Sequence, residues 1–428
     1  MSRRRKFKFP KTTVERLSHY FRALEELVRM GTDTVSSKSL GDQLNIKSSQ
    51  IRKDLSYFGY FGKRGMGYDV KYLLKELKYI LGLDRQWNVI VIGAGHLGKA
   101  ISHYTGFENR GFIVTALFEN DSSKVGSEVY GAPVFHTSDL EDYIENHDVH
   151  IAILAVPESA AQKAADLLTA NGVKAILNFA PATINTPDDV RCLNVDLTTK
   201  LEALAYFMSY KVYPGSGRRK KYKFPKTTVE RLSYYYRELE ELSRGSVDTV
   251  SSDALGDKLN IKSSQIRKDL SYFGYFGKRG MGYDVKYLLK ELKYILGLDR
   301  QWNVIVAGAG HLGKAITHYP GFQKRGFVIN SIFDTDPEKI GTDIYGISVR
   351  DARDLEEYID SHDVDIGILA LPYSAAQSTA DRMVSRGVKA ILNFAPVTIQ
   401  TPDDVRCLNV DLTTKLEALA YYMSFPAT

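Results

Sequence analysis

Two glycine-rich segments hold the residues best suited to binding a cofactor. Residues 93–98 read G-x-G-x-x-G, and residues 308–313 repeat the motif 215 positions later. In this motif the first glycine allows a tight turn, the second lets the backbone approach a pyrophosphate, and the third lets the following helix pack closely. Each motif follows an apolar strand and precedes a helical segment, which is the context that makes it specific. The segments therefore predict two dinucleotide-binding sites.

An acidic residue follows each motif at the end of the next apolar strand. It is Glu119 after the strand 114–118 and Asp334 at the matching position, about the spacing expected for the carboxylate that binds the adenosine ribose. An acid with no arginine beside it favours NAD(H) over NADP(H). The candidate cofactor-binding residues are Gly93, Ala94, Gly95, His96, Leu97, Gly98 and Glu119, with Gly308, Ala309, Gly310, His311, Leu312, Gly313 and Asp334.

Cationic and amide side chains share one face of a short helix that the sequence predicts from residue 48 to residue 59. Apolar Ile51 and Leu55 face the other way. A shorter helix capped at residues 36–37 precedes it across a tight turn, so the pair predicts a helix-turn-helix. Arginine and glutamine can make bidentate contacts with guanine and adenine edges, and lysine neutralises phosphates. A solvated charged face is the alternative for this helix alone, and Asp54 near its buried face has no assigned role.

An aromatic and glycine-rich segment follows at residues 60–68. Two aromatic edges flank a tip that contains Lys63 and Arg64, which predicts a β-hairpin wing whose tip contacts a phosphate or the minor groove. Helix and wing together favour double-stranded DNA as the partner. The candidate DNA-binding residues are Ser49, Gln50, Arg52, Lys53, Ser56, Lys63 and Arg64, with Ser264, Gln265, Arg267, Lys268, Ser271, Lys278 and Arg279.

These sites belong to a chain that is duplicated head to tail. From residue 9 onward every feature recurs 215 positions later without a gap. Residues 44–91 and 186–206 are identical to residues 259–306 and 401–421. The join at residues 213–217 has the composition of a flexible linker. A natural fusion and an engineered single-chain dimer both fit this arrangement.

Within each copy the pattern predicts an α/β chain: a winged helix-turn-helix domain and then a Rossmann-like, doubly wound parallel sheet. A capping box from Thr12 to Glu15 begins an amphipathic helix that ends near Gly31, and another helix is expected at 70–82. Buried strands are expected at 151–156 and 174–179. The predicted boundaries are 1–82, 83–195 and 196–212 in the first copy, 213–221 for the linker, and 222–297, 298–410 and 411–428 in the second copy.

Charge divides each copy along the same boundary. Residues 1–82 hold 18 lysines and arginines against 8 acids, whereas residues 83–213 hold 9 against 16. The excess of positive charge in residues 1–82 favours binding to a polyanion, whereas the excess of negative charge in residues 83–213 does not. No apolar run approaches the roughly 20 residues that span a bilayer, and no apolar signal core follows the basic N-terminus. We therefore expect a cytoplasmic protein with no membrane partner.

Thiol, metal and catalytic chemistry are not favoured. Cys192 and Cys407 occupy the same place in the two copies, and one thiol per copy is too few for a disulfide framework or a zinc site. His96 lies where the pyrophosphate would bind, and little more than one helix follows residue 195, where a dehydrogenase would have a substrate domain. An NAD-dependent oxidoreductase is the alternative function. A nucleotide- or CoA-binding module with an incidental basic domain is a third.

The sequence resembles the Rex family of redox-sensing transcriptional repressors at four motifs. These are RKDLSYFG at 52–59, RGMGY at 64–68, GAGHLG at 93–98 and NFAP at 178–181. The resemblance covers both copies nearly end to end. It implies a homodimer, or here an internal pseudo-dimer, that binds inverted-repeat operators when NADH is scarce and releases them when NADH binds.

The resemblance also implies that the last helix of each copy, 197–210 in the first, is exchanged with a partner. It assigns coupling between cofactor and DNA to Arg22 and Asp196, and to Arg237 and Asp411 in the second copy, and adds Tyr104 and Tyr319 to the cofactor sites. In one mechanism Asp196 pairs with Arg22 or with Tyr104 according to the charge of the nicotinamide. An ordinary interdomain ion pair is the alternative.

Overall fold

The computed structural model describes residues 11–63, 65–210, 226–278 and 280–425. These residues divide into two compact units, and each unit draws on both copies of the sequence. The first unit runs to Val195 and resumes at Asp411, and the second runs from Asp196 to Val410. Each unit thus combines the N-terminal and sheet domains of one copy with the last helix of the other. The linker predicted at 213–221 lies outside the described residues.

The N-terminal domain of the first unit is a set of helices with a small antiparallel sheet. Its elements in chain order are α1 (Lys11–Arg29), β1 (Thr34–Val35), α2 (Ser37–Leu44), α3 (Ser48–Ser56), β2 (Gly62–Lys63), β3 (Gly67–Asp69) and α4 (Val70–Ile80). The sheet order is β1-β3-β2, and β2 pairs with β3 as the predicted hairpin requires. The predicted helix-turn-helix with a wing is therefore present, and β1 adds a third strand that the sequence did not predict.

Local chemistry explains where these helices begin and end. Ser36 caps α2 as predicted, because its hydroxyl accepts the Ser39 amide, and Asn45 ends the helix in the left-handed conformation at φ 53°. The recognition helix α3 begins after Lys47 with no side-chain cap and ends at Ser56, three residues before the predicted end. Helix α1 already includes Thr12, so the predicted capping box lies inside the helix. Helix α4 likewise ends two residues before its predicted end.

The second domain of the first unit alternates strands and helices around a seven-stranded sheet. Its elements are β4 (Trp87–Ile92), α5 (His96–Ser102), α6 (Thr105–Glu108), β5 (Phe112–Glu119), β6 (Glu128–Val129), β7 (Ala132–His136), α7 (Leu140–Asn146), β8 (Ile151–Leu154), α8 (Glu158–Ala170), β9 (Ala175–Asn178) and β10 (Arg191–Asn194). The order across the sheet is β10-β9-β8-β4-β5-β7-β6, and only the β6–β7 pair is antiparallel.

The strand order defines where a ligand can bind. Numbered among themselves, the six parallel strands lie in the order 6-5-4-1-2-3, which is the Rossmann arrangement. The order reverses at β4, so the carboxyl end of β4 faces the crevice in which such sheets bind ligands. Ile90, Ala152 and Ile176 from neighbouring strands lie in one buried core with Ala161 of α8. Burial on both faces explains why these strands read as uninterrupted apolar runs.

The second unit repeats both domains. The last helix of the first copy, α9 (Leu197–Tyr210), belongs to this unit, and α18 (Leu412–Ser424) belongs to the first. The remaining elements are α10 (Lys226–Arg244), β11 (Thr249–Val250), α11 (Ser252–Leu259), α12 (Ser263–Ser271), β12 (Gly277–Lys278), β13 (Gly282–Asp284), α13 (Val285–Ile295), β14 (Trp302–Ala307), α14 (His311–Thr317), α15 (Pro320–Lys324), β15 (Phe327–Asp334), β16 (Asp343–Ile344), β17 (Ile347–Asp351), α16 (Leu355–Ser361), β18 (Ile366–Leu369), α17 (Tyr373–Ser385), β19 (Ala390–Asn393) and β20 (Arg406–Asn409).

The two last helices are exchanged between copies within this one chain. Helix α18 packs against α1 in the first unit, and α9 packs against α10 in the second. Leu201, Leu204 and Ala205 of α9 are fully buried, as their helical spacing predicts. Among the residues that the structure describes, no helix is long and apolar enough to cross a membrane, and no group of acids, histidines and cysteines is arranged to hold a metal ion.

Candidate dinucleotide and nucleic-acid sites

The three glycines of the first motif lie at the carboxyl end of β4 and have different surroundings. Gly93 has φ +103°, and a Cβ built on it would lie 2.5 Å from the Ala155 carbonyl oxygen. A Cβ on Gly98 would lie 1.8 Å from the Gly93 carbonyl oxygen. Gly95 has ordinary extended angles, φ −76° and ψ −171°, and none of the described residues other than its chain neighbours comes within 4 Å of its Cβ position. A side chain at Gly93 or Gly98 would therefore clash with the backbone of the domain, whereas the space beside Gly95 is open to a ligand.

The predicted ribose acid lies against this loop in both units. Glu119 Oε2 accepts the Ala94 amide at 2.9 Å, and Asp334 Oδ2 accepts the Ala309 amide at 2.7 Å. The two units therefore place a carboxylate at the same point with side chains of different length. This position, between the fingerprint loop and the second strand, is where a dinucleotide's adenosine ribose meets an acid in Rossmann domains.

A lysine beside each ribose acid was not predicted. Lys124 Nζ lies 3.5 Å from Glu119 Oε2, and Lys339 Nζ lies 3.6 Å from Asp334 Oδ2. Both lysines also pair with the acid three residues before them. The D-x-x-K spacing was visible in the sequence, but nothing in that pattern tied it to the cofactor site.

The remaining predicted cofactor residues surround the same loop. His96 is exposed at the start of α5, and Leu97 is half-buried one position later. Tyr104 follows α5, with its ring 5.0 Å from that of Phe107, and burial raises the pKa of its phenol. Tyr319 is buried at the matching position in the second unit. No catalytic role is assigned to any of these residues.

The proposed DNA-reading face of α3 points outward. Ser49, Arg52, Lys53 and Ser56 are exposed, and Arg52 NH1 donates a 2.8 Å hydrogen bond to Ser37 Oγ at the start of α2. Gln50 differs from the expectation, because it is half-buried and its amide donates to Asp54 at 2.8 Å. The corresponding residues of α12 repeat the pattern. Each unit therefore presents one cationic helix face beside a hairpin wing.

Asp54, which had no assigned role, anchors the recognition helix to α1. It is fully buried, and Arg16 donates to both of its oxygens, at 2.6 Å and 2.7 Å. Tyr20 donates a further hydrogen bond at 2.7 Å, and Thr13 donates one at 3.3 Å. Burial alone would raise the pKa of Asp54, but the hydrogen bonds from Arg16, Tyr20 and Gln50 hold it below its usual value. The same network surrounds Asp269 in the second unit.

The tips of the wings are only partly described. Gly62 pairs with Tyr68 and Lys63 pairs with Gly67 across the hairpin. The second hairpin has the same register. The predicted contacts Arg64 and Arg279 lie outside the described residues, and for Lys63 and Lys278 only the backbone is described.

The coupling residues pair differently from the expectation. Arg22 NH2 donates to Asp411 Oδ1 at 2.9 Å and to Thr414 Oγ1 at 3.1 Å, and Arg22 NH1 forms an ion pair with the same carboxylate. In the second unit Arg237 forms an ion pair with Asp196. Pairing of Asp196 with Arg22 is therefore not found, because each last helix belongs to the unit of the other copy. Burial would raise the pKa of Asp196, but the Arg237 guanidinium and the hydrogen bonds from Thr199 bring it below its usual value.

The cysteines are free and half-buried. Burial raises the pKa of Cys192 to about 11 and that of Cys407 to about 12. Both thiols are therefore protonated at neutral pH, which makes them poor nucleophiles.

Two family models match the chain, each of them twice. The putative DNA-binding protein N-terminus matches residues 8–56 and 223–271, and the CoA binding domain matches residues 84–182 and 299–397. Each copy thus contains a domain of a DNA-binding class followed by a domain of a nucleotide-binding class.

The redox-sensing repressors named Rex that resemble this chain match less than half of it but nearly the whole of their own length. The redox-sensing transcriptional repressor Rex of Desulfitobacterium hafniense is 46% identical over 199 residues, which are 46% of this chain and 95% of that protein. The corresponding repressor of Carboxydothermus hydrogenoformans is 47% identical over 200 residues, which are 47% of this chain and 96% of that protein. The solved structure of RSP with β-NAD⁺ and operator DNA is 43% identical, with 48% of this chain and 94% of that chain covered and a TM-score of 0.46. The chain belongs to the Rex family.

Proposed function

We propose that this chain is a redox-sensing transcriptional repressor that binds inverted-repeat operator DNA and is released when NADH binds its two Rossmann domains. One observation carries the proposal. Proteins named as redox-sensing repressors match the chain over about 95% of their length at 46–47% identity. Both domain types that such a repressor needs are present twice. The relatives are named as repressors, so this chain acts by binding rather than by catalysis.

NAD(H) binds at the carboxyl end of β4 and of β14. The open space beside Gly95 and Gly310 admits the pyrophosphate, and the carboxylates of Glu119 and Asp334 lie where they can bind the adenosine ribose. Tyr104 and Tyr319 complete the sites on the side of α5 and α14. The bound dinucleotide would supply the redox signal through the charge difference between its oxidised and reduced nicotinamide.

Operator DNA binds to the exposed faces of α3 and α12. Ser49, Arg52, Lys53 and Ser56 lie on the outer side of α3, and identical residues lie on α12. Two identical recognition helices in one molecule suit an operator made of two inverted half-sites. The wings, including Lys63 and Arg64 with Lys278 and Arg279, add contacts to phosphates or to the minor groove.

The two functions are coupled through the exchanged helices. The Arg22–Asp411 and Arg237–Asp196 ion pairs join the first helix of each DNA-binding domain to the start of a last helix. Exchange within one chain supports an internal pseudo-dimer, in which a single molecule holds two NADH sites and two recognition helices. We expect this protein to act in the cytoplasm, where the operator and the pool of NADH and NAD are both available.

A mobility-shift titration tests the proposal. The protein is mixed with duplexes selected from a palindromic pool and with scrambled duplexes of the same length, and NADH or NAD is added in turn. A repressor of this kind binds the selected duplex tightly, and only NADH releases it. An oxidoreductase instead oxidises NADH when small carbonyl compounds are added, and a CoA-binding module responds to CoA but not to NADH. Equal affinity for both duplexes, unchanged by NADH, would refute the proposal.

A further inference from the structure

A buried carboxylate lies in the middle of each exchanged helix and has no part in the proposed function so far. Glu417 in α18 and Glu202 in α9 are both fully buried. Their neighbours along the helix are apolar: Leu416, Ala418 and Leu419 are buried beside Glu417. An ionised acid in such a place costs several kcal/mol unless it is paired.

Each of these acids lies between two arginines from different domains. Arg110, from the Rossmann domain, places Nε 3.3 Å from Glu417 Oε1, and Arg22, from α1, places NH2 3.8 Å from Glu417 Oε2. In the second unit Arg325 Nε lies 3.2 Å from Glu202 Oε1, and Arg237 NH2 lies 4.0 Å from Glu202 Oε2. Both units therefore place the acid closer to the Rossmann arginine than to the arginine of the DNA-binding domain.

The Rossmann arginine continues the network to a second acid on the DNA-binding domain. Arg110 donates to both oxygens of Glu25, at 2.7 Å and 2.5 Å, and its guanidinium lies 4.7 Å from the centre of the Phe21 ring. Arg325 pairs with Glu240 at 2.7 Å and lies 4.8 Å from the Tyr236 ring. Glu25 and Phe21 thus contact Arg110 on two sides, and its Nε lies beside Glu417.

The same acid is the next acceptor for the coupling arginine. Arg22 already pairs with Asp411, and Glu417 Oε2 is 3.8 Å from its NH2. Neither oxygen of Glu417 accepts a hydrogen bond from any of the described residues. If Asp411 moves away from Arg22, a shift of about 1 Å brings Arg22 to hydrogen-bond distance from an unsatisfied carboxylate. The guanidinium then keeps a partner in both arrangements, which avoids an unpaired buried charge.

We infer that Glu417 and Glu202 are positioning residues of the switch, which accept Arg22 and Arg237 when Asp411 and Asp196 release them. Each acid thereby stabilises the second of two arrangements of the DNA-binding domain against the exchanged helix. This inference rests on the proposed function, because it concerns the coupling between NADH and operator DNA. Glu417 and Glu202 thereby determine how strongly NADH and operator DNA weaken each other's binding. Neither acid contacts NADH or DNA.

The test is the variant Glu417→Gln with Glu202→Gln in the full chain. Operator affinity is measured with and without saturating NADH, and NADH affinity is measured alone. We expect NADH still to bind, but the factor by which it weakens operator binding should fall at least about tenfold. The matched control is Glu25→Gln with Glu240→Gln, which removes partly exposed acids of the same network and leaves both alternative acceptors in place. This control should keep more of the coupling than the first variant.

The outcomes separate this inference from the proposed function. If NADH fails to weaken operator binding by the unaltered protein, the proposed function is wrong. If the unaltered protein responds and the folded Gln variant has the same coupling factor, the inference is overturned. If the Gln variant does not fold, Glu417→Asp with Glu202→Asp decides, because it keeps the charge but withdraws it from Arg22. Reduced coupling then supports the inference, and unaltered coupling overturns it.

Discussion

Replacing the middle glycine of the cofactor motif should remove NADH binding without destabilising the folded protein. Gly95 and Gly310 have φ near −75° and extended ψ, angles that any residue adopts, and none of the described residues other than their chain neighbours lies within 4 Å of a Cβ at either position. Gly→Ala at such a site stabilises a protein by about 0.4–1 kcal/mol, because the unfolded chain has fewer conformations. The melting temperature of Gly95→Ala with Gly310→Ala should therefore be unchanged or slightly raised.

The substitution should weaken NADH binding and leave the stability of the fold intact. The added methyl group occupies the open space through which the pyrophosphate approaches the backbone, and loss of one hydrogen bond to a charged group costs about 1.5–3 kcal/mol. NADH affinity should fall about 10- to 100-fold. Calorimetric titration measures this directly, and the single variant Gly95→Ala should reduce the number of tight NADH sites per chain from two to one.

Gly98→Ala is the informative contrast. A Cβ there would lie 1.8 Å from the Gly93 carbonyl oxygen, so this variant should lose NADH binding together with stability. The double Gly95 and Gly310 variant should stay on operator DNA at NADH concentrations that release the unaltered protein. If that variant binds NADH within about twofold of the unaltered affinity, the pyrophosphate does not bind beside these glycines and the assignment of the site is wrong.

Three further predictions concern the DNA-binding domain and the assembly. Arg52→Ala with Arg267→Ala should weaken operator binding by about 1–3 kcal/mol per half-site and leave NADH affinity unchanged; unchanged operator affinity would reject α3 as the recognition helix. Asp54→Asn should lower the free energy of unfolding by about 2–4 kcal/mol in urea, because the partly buried Arg16 loses its carboxylate, and a loss below about 0.5 kcal/mol would contradict this. Since the folded-state pKa of Asp54 is below the unfolded value of about 3.9, its stabilisation is complete above that value and disappears as the pH falls through the folded pKa. The mass in solution should be near 48.1 kDa, whereas twice that mass at all dilutions would indicate pairing between chains.

Features set by local spacing could be predicted from the sequence. Leu201 and Leu204 are buried as their helical spacing predicts, and the strand after the first motif ends at Glu119 as expected. The recognition helix was predicted too long because apolar spacing continues after Ser56 while the backbone leaves the helix. Two-residue strands such as β1 have too few positions for an alternating pattern to be recognised.

Contacts between distant residues could not be predicted in this way. Asp54 is an acid on the buried side of a helix, and only the fold brings Arg16 and Tyr20 to it. Arg22 and Asp411 are 389 residues apart, and the expected pair of Asp196 with Arg22 was wrong because the exchanged helix places Asp196 beside Arg237. The sequence identifies which side chains could pair, but the partner of each depends on which copy supplies the helix.

Reciprocal coupling between NADH and operator DNA is the most direct test of the account. NADH affinity is measured by titration with and without saturating operator duplex, and operator affinity is measured with and without saturating NADH. If one molecule couples the two ligands, the operator must weaken NADH binding by the same factor by which NADH weakens operator binding. We expect equal factors, well above one, for NADH and a much smaller factor for NAD. NADH affinity that does not change when the operator is bound would contradict this expectation.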